Sequence, residues 1–428
     1  MTDWPKNFVY VCSAGQGAVV NALPLVHAGL DRVTKVVILC GARNDRTTDS
    51  TELTQAVQPM QQLVRIFRQW RPGLDVRPVF GDPDEVAVWR KHMDGFVRQA
   101  TPDCPLVLNL TGGRKQMSLG AFAAVLLGPA NLGRFIFVGG RPLHVDFLDP
   151  VSLESSIAPI HQELTLDQYL GLYGLREIAR TQRAAKQQFH HELAAPVERF
   201  VAAVMADVRS QQSIITEAAR ARWSTDGKTF SKGPIDPWQC CKRPRSQLNN
   251  TAATMEQLNG HAGLVKAINS HGQSILHAEA EEGVKLLQGG WVETWLYNRL
   301  SQHFRGRNDI SIIPNVRVSL GENDEIGEFD IAVMIGSQLH IIETKAAHIG
   351  SPQSGATAKA LAQIDKWKRL LLGQFGRVII VQPRQSVLEL EKQGSSFLSR
   401  AQKAGADLAL GPQAVETTIE LLEGLSRQ

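Results

Sequence analysis

The spacing of apolar residues changes character twice along this chain. Up to about residue 150, short apolar runs of strand length alternate with stretches of helical period. "NFVYVCSAG" precedes "GAVVNALPLVHAG", "KVVILCGA" precedes "STELTQAVQPMQQLVRIFRQW", "DVRPVFG" precedes "DEVAVWRKHMDGFVRQA", and "PLVLNLTGG" precedes "RKQMSLGAFAAVLLG". Two further runs, "RFIFVGG" and "HVDFLD", close the segment. Strands that alternate with helices predict a mostly parallel, doubly wound sheet. From about 160 the period is helical throughout "LDQYLGLYGLREIARTQRAAKQQFHHELAAPVERFVAAVMADV", and is then lost in "RWSTDGKTFSKGPIDPWQCCKRPRSQLNN". From about 281 it resumes as a helix, or two short ones meeting at Gly289–Gly290. A strand ("DISIIPNVRVSL"), a hairpin ("EFDIAVMIG" and "QLHIIETKAA" around Gly336–Ser337), a helix and a further strand ("GRVIIVQP") follow. The pattern divides the chain into an α/β unit at 1–155, a helical connector with a loop-rich insertion at 156–280, and a second α/β unit at 281–428.

Composition narrows the class. A chain of 428 residues exceeds one ordinary core, and 43% hydrophobic with 21% charged residues is globular rather than disordered. No apolar run approaches the roughly eighteen residues a membrane span needs, and the start has no signal-peptide pattern, so the expectation is a cytoplasmic protein without a membrane partner. The five cysteines fit neither a disulfide framework nor a CxxC metal site. A net charge of +4 permits phosphate contact without demonstrating it. The basic insertion at 221–250 reads as a solvated connector or as a nucleic-acid contact.

Two stretches carry candidate chemistry. In "DIAVMIGSQLHIIETKAA" (330–347), residues two apart on a strand share a face, so Glu343 and Lys345 point one way and Thr344 the other. A tight hairpin brings Asp330 beside Glu343. Two adjacent carboxylates repel unless a cation neutralises them, and a hard divalent ion such as Mg²⁺ or Mn²⁺ suits carboxylate and main-chain oxygens, here Asp330, Glu343 and the Thr344 carbonyl. Glu293, in "GGWVETWLYNRL", offers a further acid; its plainer reading is a rim glutamate beside a core face of Trp291, Trp295 and Leu296. The second stretch is "LNLTGGRKQMSLGAF", where Asn109 and Thr111 close a strand, Gly112 and Gly113 turn the backbone, and Lys115 enters a helix. It is neither a Walker A loop nor GxGxxG. With the loop after the first strand (Ser13, Ala14, Gly15, Gln16, Gly17) it forms a crevice at the carboxyl ends of the strands, where such sheets bind ligands. "HHEL" at 190–193 lacks the second histidine of HExxH, Ala195 standing in its place, so His190 and His191 read as a helix surface. His340 and His348 read as structural or solvent-facing.

These motifs resemble two known families. "GEFDIAVMIGSQLHIIETKAA" looks like the PD-(D/E)xK nuclease core, and the helix "GGWVETWLYNRL" resembles the first core helix of that restriction-endonuclease-like fold; the likeness spans about 285–385. It implies that Asp330, Glu343 and Lys345 are catalytic with Glu293 in support, and that Mn²⁺ or Mg²⁺ is bound by Asp330, Glu343, Thr344 and Glu293. The run Asn109, Thr111, Gly112, Gly113, Arg114, Lys115, Met117 resembles the hallmark of the CARF domain, a Rossmann-like sensor. That resemblance implies a cyclic oligoadenylate, cyclic tetraadenylate foremost, bound across a homodimer by Ser13 to Gly17, by Asn109 and Thr111 to Lys115 with Met117, and by Ala42 and Arg43 after the second strand. The whole chain resembles the cyclic-oligoadenylate-activated ancillary nucleases of type III CRISPR defence. The expected activity is metal-dependent hydrolysis of DNA or RNA, single- or double-stranded. The alternative is a messenger-responsive nucleic-acid-binding or regulatory protein with an inactive nuclease fold; a CARF unit that cleaves its own ligand ranks below both.

Overall fold

The computed structural model describes residues 4–15, 18–41, 50–129, 132–139, 143–149, 154–160, 163–178, 180–206, 233–235, 265–270, 273–278, 286–320, 324–346, 356–372, 375–392 and 397–427. The N-terminal unit runs β1 (Phe8–Ser13), α1 (Ala18–Ala28), β2 (Val33–Gly41), α2 (Ser50–Trp70), β3 (Asp75–Gly81), α3 (Val86–Gln99), β4 (Leu106–Asn109), α4 (Lys115–Leu126), β5 (Gly133–Gly139), β6 (His144–Leu148) and β7 (Ser155–Pro159). Its seven strands lie in the order β3-β2-β1-β4-β5-β6-β7. The first five are parallel and the last two antiparallel. Alternate residues of each strand feed opposite faces. Tyr10, Ile38 and Val107 pack under α1 and α2, while Val11, Leu39 and Leu108 pack against Trp89 of α3 and Met117 of α4. The order reverses between β1 and β4, which opens a crevice at their carboxyl ends.

The next segment departs from the continuous helix its period predicts. α5 (Leu166–Leu172) ends at Gly174, whose φ of 72° lies in the left-handed region, and β8 (Leu175–Glu177) follows before α6 (Arg183–Glu192) and α7 (Ala194–Ala206). Glycine there terminates the helix, and Leu175 and Glu177 are freed to pair with Leu320 and Val318. β9 (Gly233–Ile235), β10 (Val265–Ser270) and β11 (Gln273–Ala278) form a small antiparallel sheet. The rest of the basic insertion, with Trp223, Trp238, Cys240 and Cys241, lies outside the described residues.

The C-terminal unit contains α8 (Trp291–His303), β12 (Ile310–Leu320), β13 (Asp324–Ile335), β14 (Gln338–Thr344), α9 (Ala356–Trp367), β15 (Val378–Gln382), α10 (Val387–Lys392), α11 (Phe397–Lys403), β16 (Ala406–Leu410) and α12 (Ala414–Arg427). Its sheet order is β16-β15-β14-β13-β12-β8. One face packs α8 against α7, with Phe200 edge-on to Trp291 at 5.9 Å. The other buries Trp367 of α9 edge-on to Phe329 at 4.5 Å. Each such aromatic contributes on the order of 2–3 kcal/mol by burial, which fixes the hairpin β13–β14 from both sides. No described helix is long and apolar enough to cross a membrane.

Candidate active site and ligand crevice

The hairpin has a two-residue turn, Gly336–Ser337, and its register pairs Ile331 with Ile342. One step beyond, Asp330 falls opposite Glu343. Thr344 donates its amide (2.6 Å) and its hydroxyl (2.9 Å) to Asp330 Oδ2. Its side chain therefore anchors a carboxylate. Lys345 Nζ lies 3.2 Å from Glu343 Oε2, and its amide donates to the Val381 carbonyl, so β15 holds the lysine in place. Glu293, in the first turn of α8, completes the group.

These acids are electrostatically uncomfortable. Burial first, and then the nearby Asp330, push the Glu343 carboxyl up to about 7, although Lys345 and the Trp367 indole favour its ionised form. A charge pair at 3.2 Å attracts by roughly 5 kcal/mol at an effective dielectric constant of 20. Desolvation and Asp330 outweigh that attraction. Burial raises the Glu293 carboxyl strongly, and Asp330, Glu328 and Glu343 add to the effect, against Lys186. Glu293 Oε1 and Glu343 Oε1 are both buried and accept no hydrogen bond. Among the described residues no three His, Cys, Asp or Glu side chains form a ready-made metal cage. Mg²⁺ and Mn²⁺, however, commonly take one or two carboxylates and complete their shell with water and substrate oxygens. Two orphaned buried carboxylate oxygens beside Asp330 match that donor set.

Glu328 and Lys186 escape sequence reasoning. Glu328 is two residues before Asp330 in the same strand, and that i, i+2 spacing was its signal; Lys186 sits in the connector helix and had none. His190 is 2% exposed and its pKa is lowered to about 4, which corrects the expectation of a helix surface. His340 is wholly buried on β14. His348 lies outside the described residues.

At the other end, the TGG turn after β4 abuts the loop after β1. Asn109 is buried and spends its side-chain amide on the Tyr10 hydroxyl (2.8 Å) and the Val20 carbonyl (2.7 Å), while its Oδ1 accepts the Thr111 amide (3.0 Å). The Thr111 hydroxyl accepts the Val138 amide at 2.6 Å. Met117 is buried beneath the sheet. These three residues brace the turn. Gly113, Arg114 and Lys115 are exposed at its outer side, Gly112 is half-buried, and Arg114 meets Asp84 at 3.0 Å. Ser13 is buried and its carbonyl accepts from Asn21 at 2.9 Å, while Ala14 and Gly15 are half-buried. Gln16, Gly17, Ala42 and Arg43 lie outside the described residues. A cavity of about 370 Å³ has Thr111, Gly112 and Gly113 on one wall and Ser337 and Gln338, the tip of the acidic hairpin, on another.

Comparison with known proteins finds a family match for the C-terminal unit and a fold match for the whole chain. The family described as Card1-like, endonuclease domain, matches residues 280–406. A protein from Vibrio cholerae known as VC1899 superposes with a TM-score of 0.69 at 17% identity, covering 98% of each chain. Can2 from Sulfobacillus thermosulfidooxidans, solved in complex with cyclic tetra-adenylate, superposes with a TM-score of 0.63 at 17% identity, covering 98% of this chain and 99% of that one. At such identities the likeness is one of fold. No curated protein matches. The chain therefore shares the overall fold of these two proteins, and its residues 280–406 match a Card1-like endonuclease domain.

Proposed function

We propose that the protein is a metal-dependent endonuclease switched on by a cyclic oligoadenylate, with cyclic tetraadenylate the first candidate. The observation that carries this reading is the pair of buried carboxylate oxygens, Glu293 Oε1 and Glu343 Oε1, that lack a partner beside Asp330 and Lys345, within a domain that matches an endonuclease family. Asp330 and Glu343 would hold a Mg²⁺ or Mn²⁺ ion, with Glu293 and the Thr344 carbonyl in support. When bound, the ion lowers the pKa of a water molecule and stabilises charge on a phosphate oxygen. Thr344 fixes the rotamer of Asp330. Lys345, held by its amide to Val381, orients the attacking water and steadies charge on the phosphate. The buried aliphatic strands around the site limit competing solvent.

Activation would start in the crevice between β1 and β4, with the Gly112–Lys115 turn as one of its walls. The tip of the acidic hairpin borders the same cavity as that turn, so a rearrangement of the turn would be transmitted along β13 and β14 to Asp330 and Glu343 at the far end of their pairing. A cyclic ligand would span two copies of the crevice. α4, which begins at that turn, exposes Leu119 (55%), Leu126 (44%) and the adjoining Leu127 (66%). Leu119 and Leu126 are seven residues apart and so share one helix face. A second copy seated there would bring the two crevices together. The double variant Leu119→Asp with Leu126→Asp is expected to sediment as a monomer, with messenger-stimulated cleavage lost; an unchanged dimer would place the interface elsewhere.

The direct test incubates labelled single-stranded RNA, single-stranded DNA and supercoiled plasmid with Mn²⁺, with and without cyclic tetraadenylate, alongside Glu343→Ala. Cutting that needs the messenger and disappears in Glu343→Ala is the expected outcome, and it names the substrate. Messenger binding without cutting under any metal would favour a messenger-responsive binding protein.

A further inference from the structure

One helical turn of α6, in the connector, grips both sides of the acidic cluster. Lys186 and His190 are four residues apart and share a helix face. Lys186 Nζ donates to the Asn315 carbonyl at 2.7 Å, and the Asn315 side-chain amide meets His190 Nε2 at 2.9 Å. Asn315 is the one non-glycine residue with positive φ (53°) among the described residues. Its neighbours Pro314 and Val316 pair with Ile331 and Phe329, so Asn315 lies opposite Asp330. A left-handed asparagine persists only where its surroundings hold it, and here both its polar ends are held by α6.

The kink acts on Asp330 itself. In a regular strand Phe329 and Ile331 would share a face. Here Phe329 packs against Trp367 on the α9 side, while Ile331 joins the cluster on the α8 side. The sheet changes face at the carboxylate. Because His190 Nε2 accepts from Asn315, the ring proton sits on Nδ1, which donates to the Thr294 hydroxyl at 2.9 Å. Thr294 follows Glu293. The Asn298 amide closes the frame by donating to the carbonyls of His190 (2.7 Å) and Thr294 (2.9 Å). Burial, with His191 and Lys186, keeps the ring in this singly protonated form.

We infer that His190 is a positioning residue for the metal site: with Lys186 and Asn315 it sets Glu293 relative to Asp330. The inference rests on the nuclease reading above, and it makes a connector helix part of the active-site scaffold.

The test compares the full chain as wild type, His190→Ala, His190→Gln and Asn315→Gly, by calorimetric titration with Mn²⁺ and by cleavage kinetics. Asn315→Gly removes the amide yet tolerates the left-handed backbone, so it reports even where His190→Ala fails to fold. The expected result is 10–100-fold weaker Mn²⁺ binding with a matching fall in kcat, an unchanged KM for polynucleotide, and partial recovery in His190→Gln. Wild-type Mn²⁺ affinity and kcat in Asn315→Gly would overturn the inference. Should the wild-type chain itself bind no Mn²⁺ and cut nothing, the nuclease reading fails, and the positioning role is then judged on the metal-free protein. There a double-mutant cycle of His190→Ala with Glu293→Gln on thermal unfolding should be non-additive, and additivity would overturn it.

Discussion

Glu343→Gln should abolish cleavage and, at the same time, make the metal-free protein more stable at pH 8. The loss of activity is expected to be at least about 10²-fold, the scale of removing one charge-stabilising group from an active site. The gain in stability follows from linkage. The Glu343 carboxyl titrates at about 7 in the folded chain against an ordinary value of 4.5. Between those pH values the folded state binds the proton that the unfolded state has released, so stability falls as pH rises from about 4.5 through 7. A difference of about 2.5 pH units corresponds to roughly 3 kcal/mol at most. Glutamine does not titrate and escapes this loss. The variant should therefore unfold at higher urea concentration than wild type at pH 8 and show no such advantage at pH 4. Divalent metal should narrow the gap at pH 8 by stabilising only the wild type, because mass action favours whatever the folded state binds. A Glu343→Gln protein that cuts at the wild-type rate would remove Glu343 from the chemistry. One whose stability advantage does not depend on pH would remove the acidic repulsion on which the metal site is argued.

The two halves of this molecule were legible for different reasons. In the N-terminal sheet β1, β2 and β4 are buried apolar runs separated by stretches of helical period, so the alternation itself orders the elements from Phe8 to Leu148. The acidic hairpin was legible because Glu343 interrupts "LHII" and a two-residue turn fixes its register to Asp330. β8 was not, since three residues carry no period of their own and Leu175–Glu177 is defined only by its pairing with β12. The burial of His190 was hidden likewise. Its two partners, Thr294 and Asn315, are 104 and 125 residues away in sequence, and nothing local separates a histidine facing them from one facing water. Within the crevice, the pattern N-x-T-G-G-R-K-x-M mixes two tasks that spacing cannot separate. Asn109, Thr111 and Met117 brace the turn from within, whereas Gly113, Arg114 and Lys115 present it outward.

That division of labour predicts a sharp contrast between two adjacent glycines. Gly113 has φ of 82°, and a Cβ placed on it would lie 2.2 Å from Ser13 Cβ at the end of β1. Neither partner can yield by rotating a side chain, because both Cβ positions are set by backbone. An alanine there also incurs the left-handed penalty of roughly 1–2 kcal/mol. The two loops must part, and their contact is what shapes the crevice between β1 and β4. Gly113→Ala is therefore expected to weaken cyclic tetraadenylate binding at least 100-fold and to remove messenger-dependent cleavage, while Mn²⁺ binding by the C-terminal unit persists. Gly112→Ala is the control. Its Cβ would meet the Asn21 side-chain amide at 3.0 Å and the Ser13 carbonyl at 3.1 Å without positive φ, so a shift of a few tenths of an ångström accommodates it and binding should fall about tenfold or less. Calorimetric titration of both variants with the messenger, alongside thermal unfolding to establish that the N-terminal sheet is intact, separates the cases. Wild-type affinity in a folded Gly113→Ala would mean that the messenger does not touch this turn. Activation would then have to enter by another surface, and the cavity joining the turn to the hairpin tip would lose its part in the switch.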